Sequence, residues 1–159
     1  MPIRTIMIID DEPVQLTYFM KEIDVANQKL KEIDPKDPSP HYVGIPHRTA
    51  FNAIAEVVDR RPDFLIVDRR LHNDGGPHCI EQHDGWIIAS KIRNDPAHRD
   101  VLWPMPILIL TAASDREEYS HRDRENGIFY QEKGKGADAM KDILSIVEGI
   151  AMNWPIMEP

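Results

Sequence analysis

Cysteine is almost missing from this chain: Cys79 is the only one in 159 residues. No internal disulfide framework is available, so the fold must rest on its own core, which suits a reducing compartment. Long hydrophobic runs are missing too; none approaches the roughly 20 residues that span a bilayer. The segment after Met1 runs into Asp10, Asp11 and Glu12 and has no signal-peptide layout. A cytoplasmic protein is the expectation. Basic residues are in deficit, with 19 Lys and Arg against 27 Asp and Glu and a formal net charge of −8. Such a surface repels phosphate backbones and anionic headgroups, which argues against direct nucleic-acid or membrane partners. No internal repeat is visible, and 159 residues with 42% hydrophobic content suit one core, a single domain over 1–159.

Three nearly continuous apolar runs are present: IRTIMII at 3–9, FLIVD at 64–68 and ILILT at 107–111. Each stops at an oxygen-bearing side chain, as strands buried on both faces do. HYVGI at 41–45 and IFYQE at 128–132 are weaker strand candidates. Helical periodicity fills the gaps. Leu16, Phe19, Met20 and Ile23 follow Pro13, while Phe51, Ile54, Ala55 and Val58 make a stripe that Thr49 could cap and Pro62 closes. Ile88, Ala89 and Ile92 make a shorter stripe before Pro96. A charged segment at 114–126 has Ser114 and Glu117 in capping-box spacing and Gly127 as a stop. Met140, Ile143, Leu144, Val147 and Ala151 form the last stripe, before Pro155. Five strands alternating with helices predict an α/β, doubly wound parallel sheet with helices on both faces. The polar stretches 31–40 and 71–84 read as extended loops, the second part of a longer connection over 69–84.

In such sheets ligands bind beyond the carboxyl ends of the strands. Asp10 and Asp11 end the first strand, Asp68 the third and Thr111 the fourth, and Lys133 follows the fifth. Three carboxylates in one crevice repel one another unless a cation sits among them. Mg²⁺ suits hard oxygen ligands and keeps room for water and phosphate. A hydroxyl and an ammonium would complete an oxyanion clamp.

These residues, in this order, resemble the receiver domain of two-component response regulators over about 3–154. IMIIDDEP matches the family's acidic pair, FLIVD its phosphoacceptor aspartate at Asp68, and ILILTA its switch threonine at Thr111. Lys133 matches its lysine at the family spacing, and Asp84-Gly85 resembles the pair opening its third helix. The resemblance implies a flavodoxin-like fold with strand order 2-1-3-4-5. It also implies phosphoryl transfer to Asp68 from a phosphohistidine of a sensor histidine kinase or histidine phosphotransfer protein. Mg²⁺ would be held by Asp11 and Asp68, by Asp10 through water and by the Arg70 backbone carbonyl. Lys133 and Thr111 would contact the phosphoryl oxygens, with small Ala112 leaving the site open, and Tyr130 would take the place of the family's mobile aromatic. The implied protein is a signalling module rather than an enzyme. Its signal would reach a downstream protein target through segments 114–126, 128–132 and 137–153, with homodimerisation left open.

Three features depart from the family pattern. Gly134 stands where proline usually follows the lysine, which makes Lys135 a minor rival for the anion; Arg70 stands two past Asp68; and the connection from Asp68 to Asp84 is long. Two other readings compete. A Mg²⁺-dependent phosphohydrolase would use a strand-one aspartate as nucleophile, although Asp10-Asp11-Glu12 gives Asp-x-Glu where that chemistry wants Asp-x-Asp. A degenerate receiver would only bind partners, against the retention of all the key residues. His72, His78, Cys79 and His83 could supply zinc ligands, but their spacing matches no standard zinc pattern.

Overall fold

The computed structural model describes residues 4–37, 41–71, 84–111 and 125–154. Five strands form one parallel sheet: β1 (Arg4–Ile9), β2 (Tyr42–His47), β3 (Phe64–Asp68), β4 (Ile107–Thr111) and β5 (Ile128–Glu132), in the order β2-β1-β3-β4-β5. The helices are α1 (Pro13–Ile33), α2 (Ala53–Arg60), α3 (Gly85–Asn94), α4 (Pro96–Leu102) and α5 (Ile143–Asn153), with a 3-10 helix at Gly136–Met140 before the last. The expected doubly wound architecture and strand order are therefore present. Among the described residues no helix is long and apolar enough to cross a membrane.

Side chains alternate across a strand, and the central strands are apolar on both faces for that reason. Met7, Ile9, Leu65, Val67, Ile107 and Ile109 pack with Ala53, Val57, Ile88, Ala89, Ile92 and Leu102 of α2, α3 and α4. Ile6, Ile8, Phe64, Ile66, Leu108 and Leu110 pack with Leu16, Phe19 and Ile23 of α1 and Ile143 and Val147 of α5. The register then aligns the strand ends. Ile9 pairs with Val67, Asp68 with Leu110 and Thr111 with Glu132, so the residues next in each strand meet at one edge.

Several local expectations need correction. Lys31, Glu32 and Ile33 are the last turn of α1, not loop; the helix ends at Asp34 because Pro35 disfavours helical geometry in the residue before it. The second strand runs to His47 and includes Pro46, which an edge strand tolerates because β2 pairs only with β1. Thr49 does not cap α2: its hydroxyl donates to the Phe51 carbonyl, and left-handed Asn52 precedes the helix. The buried stripe of α2 is correspondingly displaced to Ala53 and Val57, leaving Phe51 exposed. Pro96 opens a helix as well as following one. Its neighbour Asp95 closes α3 by donating its N–H to Lys91 O, and its carboxylate caps α4 by accepting the Ala97 N–H at 2.9 Å. Most of the 114–126 segment, Ala112, the 38–40 part of the first loop and His72, His78, Cys79 and His83 lie outside the described residues. Gly127, the expected stop, has φ +71°.

At the opposite end of the sheet a buried cation joins the layers. Arg93 of α3 is 2% exposed. Its guanidinium donates to the Asn126 carbonyl at 2.5 Å, to Leu102 O at 2.7 Å and to Met105 O. It also lies over the rings of Trp103 and Trp154, 5.5 and 5.9 Å from their centroids. Burial lowers its pKa to about 10, which leaves it charged at neutral pH. Arg93→Ala should therefore cost roughly 2–4 kcal/mol in urea unfolding, because three carbonyl contacts, two of them buried, lose a charged donor. Arg93→Lys should recover little of this, since an ammonium cannot reproduce the planar fork. A loss below about 0.5 kcal/mol for Arg93→Ala would contradict this role.

Candidate functional site

The aligned strand ends bring Asp10, Asp11 and Asp68 together, with one carboxylate oxygen of each within 4.8 Å of the others. Asp10 is fully buried, and Asp11 and Asp68 are 6% and 8% exposed. Lys133, just past β5, reaches into this cluster. Its ammonium donates to Asp10 Oδ2 at 3.2 Å and to Asp68 Oδ2 at 3.3 Å. The other Asp10 oxygen accepts the Glu12 N–H at 3.0 Å.

The electrostatics follow from burial and crowding. Burial, with the nearby Asp10 charge, raises Asp68 to about 6 against the pull of Lys133. Burial likewise raises Asp10, while the Glu12 N–H and Lys133 work the other way. Burial pulls Lys133 down, but the Asp68 and Asp10 charges and hydrogen bonds outweigh it, so its pKa is raised. Three carboxylates thus face one ammonium in a sheltered crevice. The donor set is all hard oxygen and short of positive charge, which fits a divalent cation such as Mg²⁺.

The remaining expected residues are placed as follows. Thr111 ends β4 and is 1% exposed. Its carbonyl accepts the Lys133 N–H at 2.7 Å, tying the base of the lysine to β4. Tyr130 is half-buried on β5, in register with Ile109, and packs against the core on the α2, α3 and α4 side. Arg70 is exposed and forms an isolated antiparallel bridge with Asp84. Lys135 is exposed, and Lys133 makes the ion pairs with the carboxylates. Gly134, in place of proline, has its own steric reason: a Cβ there would stand 2.5 Å from the Asp138 carbonyl oxygen of the 3-10 helix. Asp84 caps α3 by accepting the Trp86 N–H at 2.8 Å, so the Asp84-Gly85 pair does open that helix. Its ion pair with Arg69 carried no sequence signal, because Arg69 lies in an arginine pair beside an irregular loop.

No family model and no curated protein sequence matches the chain. Solved structures do. A response regulator from Chloroflexus aurantiacus is 20% identical, with 94% of this chain and 98% of that one covered, at a TM-score of 0.59. A chemotaxis response regulator of Vibrio cholerae is 15% identical over 93% and 98%, also at 0.59. The signal receiver domain of a modulated diguanylate cyclase from Desulfovibrio desulfuricans is 19% identical over 98% and 99%, at 0.56. At such identities the likeness establishes the fold.

The crowded carboxylates make a stability prediction. A carboxyl whose folded pKa lies above its unfolded value adds stability that is fully present below the unfolded pKa and lost as pH rises. For Asp68 that loss falls between pH about 4 and about 6, on the order of 3 kcal/mol at about 1.4 kcal/mol per unit. Asp68→Asn should therefore melt at a higher temperature than the parent protein in EDTA at pH 7, with the difference shrinking toward pH 4. A variant that melts lower at pH 7 would contradict the electrostatic account.

Proposed function

Since the chain has the fold of response-regulator receiver domains, we propose that it accepts a phosphoryl group on Asp68 and signals through protein contacts. The donor is a phosphohistidine of a sensor histidine kinase or a histidine phosphotransfer protein, and the recipient of the signal is a downstream protein target. Residues 1–159 make up one such module, in the cytoplasm, and it turns over no substrate beyond its own phosphoryl group. The observation that carries this reading is the bridge of Lys133 between Asp10 and Asp68, with Asp11 beside them at the carboxyl edge of the sheet.

In this reading an Asp68 carboxylate oxygen attacks phosphorus in line. The P–N bond to the donor imidazole breaks and an acyl phosphate forms on Asp68. Lys133 is already within ion-pair distance of the attacking group, so its ammonium can follow the charge from carboxylate to phosphoryl oxygens without a long movement. The Thr111 hydroxyl donates to another phosphoryl oxygen, and Tyr130, on the neighbouring strand, responds to that shift. Asp11 and Asp68, with Asp10 through water and the Arg70 carbonyl, would hold Mg²⁺, which when bound neutralises phosphoryl charge during transfer. Burial of Asp10 and Asp68 keeps bulk water from screening these charges.

Incubation with acetyl phosphate and Mg²⁺, followed by peptide mapping, should place one phosphoryl group on Asp68. Recovery on Asp10 or Asp11 would instead support the phosphohydrolase with a strand-one nucleophile, and no modification at all would leave a binding module. Thr111→Ala should still take up the group but lose most of the amide NMR shifts that the parent shows in 128–132. Lys133→Ala should lose both uptake rate and response. Shifts of equal size in Thr111→Ala and the parent would remove Thr111 from the switch.

A further inference from the structure

Past the end of β3, the backbone of Asp68, Arg69 and Arg70 is held by contacts that converge on Asp84. Arg69 Nε lies 2.7 Å from Asp84 Oδ1. The same oxygen accepts the Trp86 N–H, so one carboxylate both caps α3 and pairs with the guanidinium. Arg70 and Asp84 form an antiparallel bridge. The Arg69 carbonyl accepts the Gly85 N–H at 3.0 Å, and the Arg69 N–H donates to Leu110 O at 2.8 Å. The side chain of Arg69 is only 11% exposed and that of Asp84 29%. Such a pair is more sheltered than an ordinary surface ion pair, and removing one partner leaves the other poorly solvated. Gly85 closes the frame from the other side: a Cβ there would stand 2.3 Å from the Asp68 carbonyl oxygen. The first residue of α3 therefore rests directly on the backbone of Asp68.

This frame bears on Asp68 through the backbone. Gly85 packs on the Asp68 carbonyl, the Arg69 N–H ties the next residue to β4, and Arg70 is bridged to Asp84. Where this backbone sits sets the direction in which the Asp68 side chain leaves β3.

We propose that Arg69 and Asp84 form a positioning clasp for the phosphoacceptor: their ion pair and the Arg70 bridge fix the backbone from Asp68 to Arg70 and so orient the Asp68 carboxylate for attack on phosphorus. The inference rests on the reading of Asp68 as the acceptor. Neither Arg69 nor Asp84 needs to touch the phosphoryl group, and their effect passes through Arg70 and Gly85.

The test follows phosphorylation of the whole chain by acetyl phosphate with Mg²⁺, in which an Asp68 oxygen displaces acetate from phosphorus. In parallel, the Arg70 amide is observed by NMR in samples without donor. Asp84→Asn keeps an acceptor for the Trp86 N–H, and with it the helix cap, but removes the charge. Arg69→Ala removes the other partner, and Arg69→Lys restores its charge without the fork. Asp84→Asn and Arg69→Ala should each slow uptake by about tenfold or more, and the double variant should be no slower than the worse single one. Arg69→Lys should recover part of the rate, and the Arg70 amide should shift and exchange faster in both damaging variants. A lower melting temperature with unchanged uptake and an unmoved Arg70 amide would overturn the clasp while leaving Asp68 as the acceptor. Should the parent protein take up no phosphoryl group, the acceptor reading fails. The clasp is then decided by the Arg70 amide alone, a shift in both variants upholding it and no shift overturning it.

Discussion

Three buried carboxylates and one partly buried ammonium set the terms for the rest of this molecule. Asp10, Asp11 and Asp68 bring their oxygens within 4.8 Å of one another, an arrangement that opposes folding unless something compensates it. Lys133 supplies part of that compensation by pairing with Asp10 and Asp68 together. The remainder is borne by the two apolar layers that pack on both faces of the strands. The cluster is thus costly for the fold and useful for chemistry, the usual relation between local strain and function.

The supporting geometry is largely backbone hydrogen bonding and steric fit rather than ion pairing. Parallel register carries each strand to the same edge, and the lysine is anchored through its own N–H to the Thr111 carbonyl. Two glycines let backbone approach where no side chain fits: Gly85 against Asp68, and Gly134 against Asp138. Gly134 explains how a chain without proline after Lys133 still holds that lysine in place. The tight contact with the 3-10 helix restrains the turn in another way.

The elements that were plain in the sequence are those with one decisive signal. FLIVD and ILILT become β3 and β4 with the expected limits, because an unbroken apolar run ended by a polar residue has little other use, and the weaker IFYQE becomes β5 with its expected limits too. The meeting of Asp10, Asp11, Asp68 and Lys133 followed from those strand ends. What was not legible depended on tertiary context. Pro96 is a breaker in isolation, and only the cap by Asp95 makes it the start of α4. Phe51 fits a helical stripe by spacing, yet left-handed Asn52 starts the helix two residues later and turns Phe51 outward. Arg93 drew no expectation from the sequence, and it is covered by Trp103 and by Trp154 near the far end of the chain. Arg69 was invisible for the same reason, since its partner Asp84 lies across a long connection.

In this account Lys133 holds the acceptor site in readiness and hands its charge to the incoming group, and a crystal structure with Mg²⁺ and beryllofluoride tests that claim most directly. The account predicts beryllium bonded to an Asp68 oxygen, the metal in contact with Asp11 and Asp68, and the Lys133 ammonium moved off Asp10 onto a fluoride. Beryllofluoride on Asp10 or Asp11, or a Lys133 still spanning Asp10 and Asp68 beside an occupied site, would contradict it.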